Sequence, residues 1–299
     1  MGVLTISRQV RNRLHGSWML ISLIFVILLP FMLGIGLYIK SATLLNDHSL
    51  SSLLFSTEWK PLSGKFGLLP FILSSLWVTI LAVIFAVPIC LLTSLHITQY
   101  AKRWVLNLMH PVIDILAGIP SVIYGVWGVL IVVPFVANYI APIFGKTISG
   151  YSILAGAIVL AIMIIPFMLN ILIEIFKTIP EELTEAALAL GATRWQTIKK
   201  VILRKAFPGI VSAVGLGLSR AFGETIAVMM VVGNVTRIPY GTLQPGYPLP
   251  ALIANNYGEM MSIPLYDSAL MLAALVLFVI VLFFNFASRL AIVRLEKNL

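Results

Sequence analysis

The stretch EAALALGATRWQTIKK, Glu185 to Lys200, is amphipathic and charged, in a chain of 299 residues that is 60% hydrophobic and only 10% charged. A lipid core would reject it, yet the sequence around it belongs in one. Mean hydropathy is +1.04, and apolar runs longer than about 18 residues recur, the pattern of an integral helical membrane protein. Six spans are expected, at Trp18–Ile39, Leu68–Leu95, Val105–Val136, Tyr151–Phe176, Gly209–Val235 and Leu265–Leu290. Each is long enough for a hydrocarbon core about 30 Å thick. Glu185 to Lys200 therefore falls in a loop between the fourth span and the fifth.

Arg8, Arg11 and Arg13 precede the first apolar run, as they would in a secretory signal. That run exceeds an h-region of about 7–15 residues and no A-x-A site follows it, so it reads as an uncleaved anchor. The single cysteine, Cys90, lies inside the second span and reads as a small buried apolar residue. No disulfide framework or cysteine-rich metal site is expected within one chain.

The basic residues orient the spans. Fourteen fall on the side that receives the N-terminus, the Lys102–Arg103 loop, the Lys177–Lys205 segment and the C-terminal tail with Arg289, Arg294 and Lys297. The opposite side receives five, namely Lys40, Lys60, Lys65, Lys146 and Arg237. Both termini and the Glu185–Lys200 loop are thus expected in the cytoplasm. The net charge of +9 is mostly topology; dispersed over membrane flanks without an aromatic platform, it does not point to nucleic acid.

Within the loop, Leu183, Ala186, Ala187 and Leu190 stand at i, i+3, i+4 and i+7, a small apolar helix face from which Glu181, Glu182 and Glu185 are displaced. Thr178 and Glu181 have the spacing of a capping box, with Pro180 in the first turn. Gly191 can take the left-handed conformation that ends the helix, and Thr193 with Gln196 reads as a second capping box opening a helix through about Phe207. Pro208 marks the passage into the next span. One reading is a hairpin lying on the lipid surface. The other, favoured by an alanine-rich apolar face and an acidic opposite face, is a helix seated in a groove of another protein.

These residues carry a family resemblance. Glu185-Ala186-Ala187, Gly191 and the apolar Val201-Ile202-Leu203 resemble the cytoplasmic loop of ABC importer permeases, whose coupling helix docks on an ATP-hydrolysing subunit. The family usually places proline directly after that leucine; this chain has Arg204, with Pro208 four residues on. AGIPSVIYGVWG (Ala117–Gly128) and LSRAFGETIAVMMVVGN (Leu218–Asn234) resemble permeases of the high-affinity phosphate importer, and LIANNYGE (Leu252–Glu259) is similar to the PstC-type rather than the PstA-type subunit. The chain has no nucleotide site of its own: Gly145-Lys146-Thr147 lacks the earlier glycine of a phosphate loop, where Ile140 stands, and no strand precedes it.

Read on their own, Gly215, Ser219 and Gly223, and likewise Ser121 and Gly125, recur every fourth residue, as small stripes do where helices approach closely in a membrane. Pro120 and Pro166 are expected to kink their spans, as ordinary transmembrane kinks or as parts of a gate. Arg220 and Glu224 sit four apart in an otherwise uncharged span and are expected on one helix face, turned to a pore or the bundle interior. Two readings are open: a mutually neutralising structural pair, or an anion path in which the guanidinium fork of Arg220 meets an oxyanion and Glu224 releases or repositions it. Asp114 and Asp267 are expected to cap or snorkel at span boundaries, and Glu174 to pair with Lys177. His15, His48, His96 and His110 have no metal-ligand spacing. The loop Arg237–Pro264, rich in proline and glycine, is expected to be irregular but semi-rigid.

The fold class expected is therefore all-α integral membrane, with six transmembrane helices. The resemblance specifies a type I ABC importer permease of MetI-like fold, divided into residues 1–67 and a permease domain 68–299 with its coupling segment at 178–207. It implies coupling through Glu185, Ala186, Ala187 and Gly191, and phosphate as the anion on the path that the charges suggest at Arg220 and Glu224. It also implies a second, PstA-like permease, two ATPase subunits that hold the ATP and magnesium, an extracytoplasmic phosphate-binding protein, and a place in a bacterial inner membrane. Two other readings differ in substrate or class: a permease for sulfate or molybdate, and a self-sufficient secondary transporter or channel, against which the halves show no obvious repeat.

Overall fold

In a lipid core the backbone has no water to bond, so an apolar chain must satisfy its N–H and C=O groups internally, as helices do. The computed structural model describes residues 8–258 and 264–296. Among them six helices are long and apolar enough to cross a bilayer. In chain order the elements are α1 (Arg8–Asp47), α2 (Leu50–Phe55), a hairpin of β1 (Trp59–Lys60) and β2 (Lys65–Phe66), and α3 (Leu69–Leu95). There follow α4 (Arg103–Gly118), α5 (Ser121–Ile143), α6 (Ile153–Lys177), α7 (Glu181–Ala189) and α8 (Arg194–Phe222). The last are α9 (Ile226–Val231), α10 (Leu249–Asn256) and α11 (Pro264–Glu296).

α6 is the centre of the bundle: 67% of its most apolar stretch is buried, against none of that in α1. It packs on α3, α4, α8 and α9, whereas α1 leans on α11, where the ring of Phe278 covers Gly34. A second core closes one end of the bundle. There Leu44, Leu53, Phe66 and Phe71 meet Leu249, Leu252 and Tyr266, and Trp59 stacks edge-on against Phe66, Phe71 and Tyr266. The hairpin is tied by Lys65 Nζ to Glu58 Oε2 at 2.6 Å, a contact that holds the Glu58 carboxyl below its usual range.

Two expected spans are corrected. The third does not begin at Val105: the helix breaks at Ile119, whose φ −64° and ψ 128° are extended, because Pro120 cannot donate and pushes its predecessor out of the α region. α4 is thus a separate helix and α5 the span. Within α5, wide turns at Gly128–Val132 and Val136–Ile140 directly precede Val133-Pro134 and Ala141-Pro142, loosening the ladder where proline supplies no donor. The fifth span does not run to Val235. Its helix begins at Arg194, in the charged segment that follows α7, carries Pro208 inside it and stops at Phe222. Pro166 likewise sits inside an unbroken α6.

Among its described residues the proline-rich loop is more ordered than its composition foretells. α10 lies within it, with Leu249, Pro250, Ala251 and Leu252 buried. Two buried α3 serines hold it: the Tyr247 N–H donates to Ser74 Oγ at 3.1 Å and the Leu249 N–H to Ser75 Oγ at 2.8 Å. Glu259 of the LIANNYGE stretch and Lys297 lie outside the described residues.

Candidate anion path and coupling surface

α7 stands off the bundle. Thr178 does not cap it; its hydroxyl donates back to Ile175 O at 2.7 Å, ending α6, and Pro180 occupies the N-cap of α7 without a side-chain bond. The expected first capping box is therefore absent, because α6 runs on to Lys177 and claims Thr178 for its own C-terminus. At the other end Gly191 has φ +81°. Its N–H bonds Leu188 O at 2.9 Å and the Ala192 N–H bonds Ala187 O at 3.1 Å, the Schellman pattern that needs a left-handed residue. The second capping box is formed: Gln196 N–H donates to Thr193 Oγ1 at 3.3 Å and Thr193 N–H to Gln196 Oε1 at 2.9 Å.

Of the small apolar face, only Ala187 is buried, at 8% exposure; Leu183, Glu185, Ala186 and Gly191 face out and Leu190 is 90% exposed. Ala187 thus serves the hairpin's own packing against the start of α8, while the residues around it leave an open surface.

Arg220 lies in the last turn of α8, and Glu224 lies beyond the break, so the two do not share a helix face as expected. Gly223 at the C-cap and the restart at Ile226 explain the break: Glu224 Oε1 accepts the Ala227 N–H at 3.0 Å, which caps α9. Among the described residues Arg220 has no carboxylate within 4.0 Å. Its guanidinium sits instead over the Phe167 ring of α6, 4.8 Å from the centroid. Glu224 lines a small cleft with Ser75, Thr79 and Phe222.

Close approach surrounds this break. A Cβ on Gly125 would meet Met230 Sδ at 2.6 Å and the Ala227 Cα at 3.2 Å, and one on Gly215 would meet Ser288 Oγ at 2.5 Å. Ser219 donates to Asn285 Oδ1 at 2.8 Å. Gly223, past the helix end, meets only backbone of its own turn and is not part of that stripe.

The sequence reading passed over a polar seam between α4 and α6. Asp114 Oδ1 accepts from Asn170 Nδ2 at 2.9 Å. Lys177 Nζ donates to Glu174 Oε1 at 2.9 Å, the pairing the spacing foretells, and also contacts His110 Nε2 at 2.9 Å. An ammonium has no acceptor, so that imidazole nitrogen is the acceptor. The signal was present: Phe167, Asn170, Glu174 and Lys177 are spaced i, i+3, i+7 and i+10, and His110 and Asp114 are four apart. No group of three metal-ligating side chains occurs among the described residues. At the end of the bundle that holds β1 and β2, a cleft of about 560 Å³ is lined by Thr57, Arg237, Tyr240 and Gln244.

Comparison with known proteins places this geometry. The chain is 37% identical over 261 residues to the phosphate transport system permease protein PstC of Xylella fastidiosa, covering 83% of this chain and 80% of that one. It is 35% identical to a probable PstC of Methanocaldococcus jannaschii, covering 88% of both, and 41% identical over 218 residues to the probable ABC transporter permease YqgH of Bacillus subtilis, covering 72% and 69%. Among solved structures, an inward-facing MetNI methionine ABC transporter superposes with a TM-score of 0.59 at 21% identity, over 80% of this chain and 99% of that one. A bacterial alginate importer gives 0.55 at 19% identity, over 94% and 99%. The six-helix fold is that of an ABC importer permease, a multi-pass membrane protein. Residues 86–298 match the family model as well, and the chain belongs to the binding-protein-dependent transport system inner membrane components.

Proposed function

We propose that this chain is the PstC-type permease of an ATP-driven phosphate importer. The observation that carries the reading is Arg220: an always-charged fork beside a helix break on an exposed face of the chain, with no carboxylate partner among the described residues, in a chain whose relatives are phosphate permeases. A discontinuous helix is tolerated at membrane depth where protein or water satisfies its ends, so the break belongs beside a cavity. Arg220 offers planar donors to a phosphate oxygen pair there, and Glu224, holding α9 by its first turn, ties the shape of that cavity to its own charge.

The basic-residue asymmetry supports a cytoplasmic side for both termini and α7, in what this reading takes to be a bacterial inner membrane. There the exposed surface of Glu185, Ala186 and Leu190, set by the bend at Gly191, seats in a groove on one of two ATPase subunits that bind ATP and magnesium. Their closure moves the hairpin, and α8, continuous from Arg194 to Arg220, carries the motion to the anion path. A PstA-like permease completes the pore, and an extracytoplasmic phosphate-binding protein docks on the opposite face, near the Arg237 cleft. The test is copurification with an ATPase and phosphate accumulation by the reconstituted complex. ATP-dependent accumulation supports the reading, whereas accumulation by this chain without an ATPase would make it a secondary transporter.

A further inference from the structure

The polar seam between α4 and α6 is a ladder. Phe167, under Arg220, is its top rung and Lys177, the last residue of α6, its bottom. Ten residues of helix span about 15 Å, about half of a hydrocarbon core about 30 Å thick. Between them stand Asn170 with Asp114, and Glu174 with Lys177 and His110. The ionised rungs are open in the single chain: Glu174 and Lys177 side chains are 66% and 37% exposed, and Asp114 and Arg220 are exposed too. Ionised groups facing hydrocarbon carry a heavy desolvation penalty, so this strip faces water or protein. α4 sorts its faces accordingly, with Trp104, Leu108 and Ile115 outward, Ile113 in the core, and His110 and Asp114 on the edge between.

We propose that this ladder walls a water-filled route from Arg220 toward the coupling hairpin, and that Lys177 is its second oxyanion-binding group. The inference rests on the phosphate-permease reading. Lys177 has three donors; Glu174 and His110 take two, leaving one for a passing oxyanion. Competition from Glu174 keeps the hold weak, as a conducting site requires. Asp114, lying between the two cations and occupying the Asn170 amide, repels an anion that has left Arg220, and so separates the two stations. Lys177 is four residues from the start of α7, so a movement of the hairpin reaches it directly.

The experiment uses the complete transporter in membranes on a Cys90→Ser background, which removes the chain's one thiol. Asn170→Cys and Glu174→Cys are treated from the cytoplasmic side with a charged, membrane-impermeant methanethiosulfonate, and uptake of radiolabelled inorganic phosphate is measured for Lys177→Gln and Lys177→Arg. The ladder predicts labelling at both positions, slowed by millimolar phosphate. It also predicts at least a tenfold loss of uptake in K177Q with assembly intact, and recovery of most of it in K177R. Refusal of the reagent at both positions, or normal uptake by K177Q, overturns it. A double variant Glu174→Met with Lys177→Met separates roles: recovered uptake would make Lys177 a structural clip. If the complete transporter with Cys90 in place accumulates no phosphate, the phosphate reading fails, and labelling of the cysteine variants alone then decides whether the ladder faces water.

Discussion

At the scale of single residues, Arg220 and Glu224 part where their spacing implied a shared helix face: Arg220 lies over Phe167 and Glu224 holds the first turn of α9. An Arg220→Gln variant is expected to lose transport while assembling normally. Each charge-assisted hydrogen bond it forfeits is about 1.5–3 kcal/mol, about 10- to 100-fold in anion occupancy, read as phosphate uptake per assembled complex; normal uptake would remove Arg220 from the path. Glu224 is tested by two substitutions. Glu224→Gln keeps an oxygen for the Ala227 N–H and tests charge alone, whereas Glu224→Ala also removes the cap, at about 1 kcal/mol. Thermal unfolding of the complex should therefore drop for the alanine variant and hold for the glutamine one. The sequence could single out both residues, since ions in an apolar span stand out, but not the break between them. Gly223 is compatible with a helix, and only the cap at Glu224 reveals where the second helix starts.

Among the elements, the hairpin of α7 and the start of α8 was the most legible part, because its stops are chemical: a left-handed glycine and a threonine–glutamine box are local and need no partner. Its start was misjudged because two helices compete for Thr178, and no local rule says which one wins. Gly191→Val is expected to strain the bend by about 1–2 kcal/mol although the surrounding space is open. Gly191→Asn, which visits the left-handed region more readily, should be milder. The readout is ATP hydrolysed per phosphate moved, expected to rise in the valine variant; an unchanged ratio would dismiss a coupling role for the bend at Gly191. The packing stripe is tested by Gly215→Leu, whose Cβ would collide with Ser288 between α8 and α11 and cost about 1–3 kcal/mol. A lower melting temperature for the complex is expected. Where composition misled, as over α10, the cause was tertiary: Ser74 and Ser75 reach across from α3 to order a proline-rich segment that by itself reads as a connection.

At the scale of the whole molecule, hydropathy alone defined an all-α bundle with six spans, and the resemblance gave it a family. What periodicity could not give was depth. α6 and α1 are about equally apolar, yet one is the centre of the bundle and the other its rim, because burial depends on which neighbours the loops deliver. The polar ladder shares that origin, since His110 and Asp114 meet α6 only once Pro120 has turned α4 aside. The molecule as a whole is read as a phosphate importer's permease, and uptake of radiolabelled phosphate at low external concentration tests this most directly. Cells lacking every other phosphate system are compared with and without this chain, under excess unlabelled sulfate and, separately, an ATPase inhibitor. The account predicts an uptake that vanishes with the chain, survives sulfate and stops with the inhibitor. Uptake unchanged by deleting the chain, or abolished by sulfate, would contradict it.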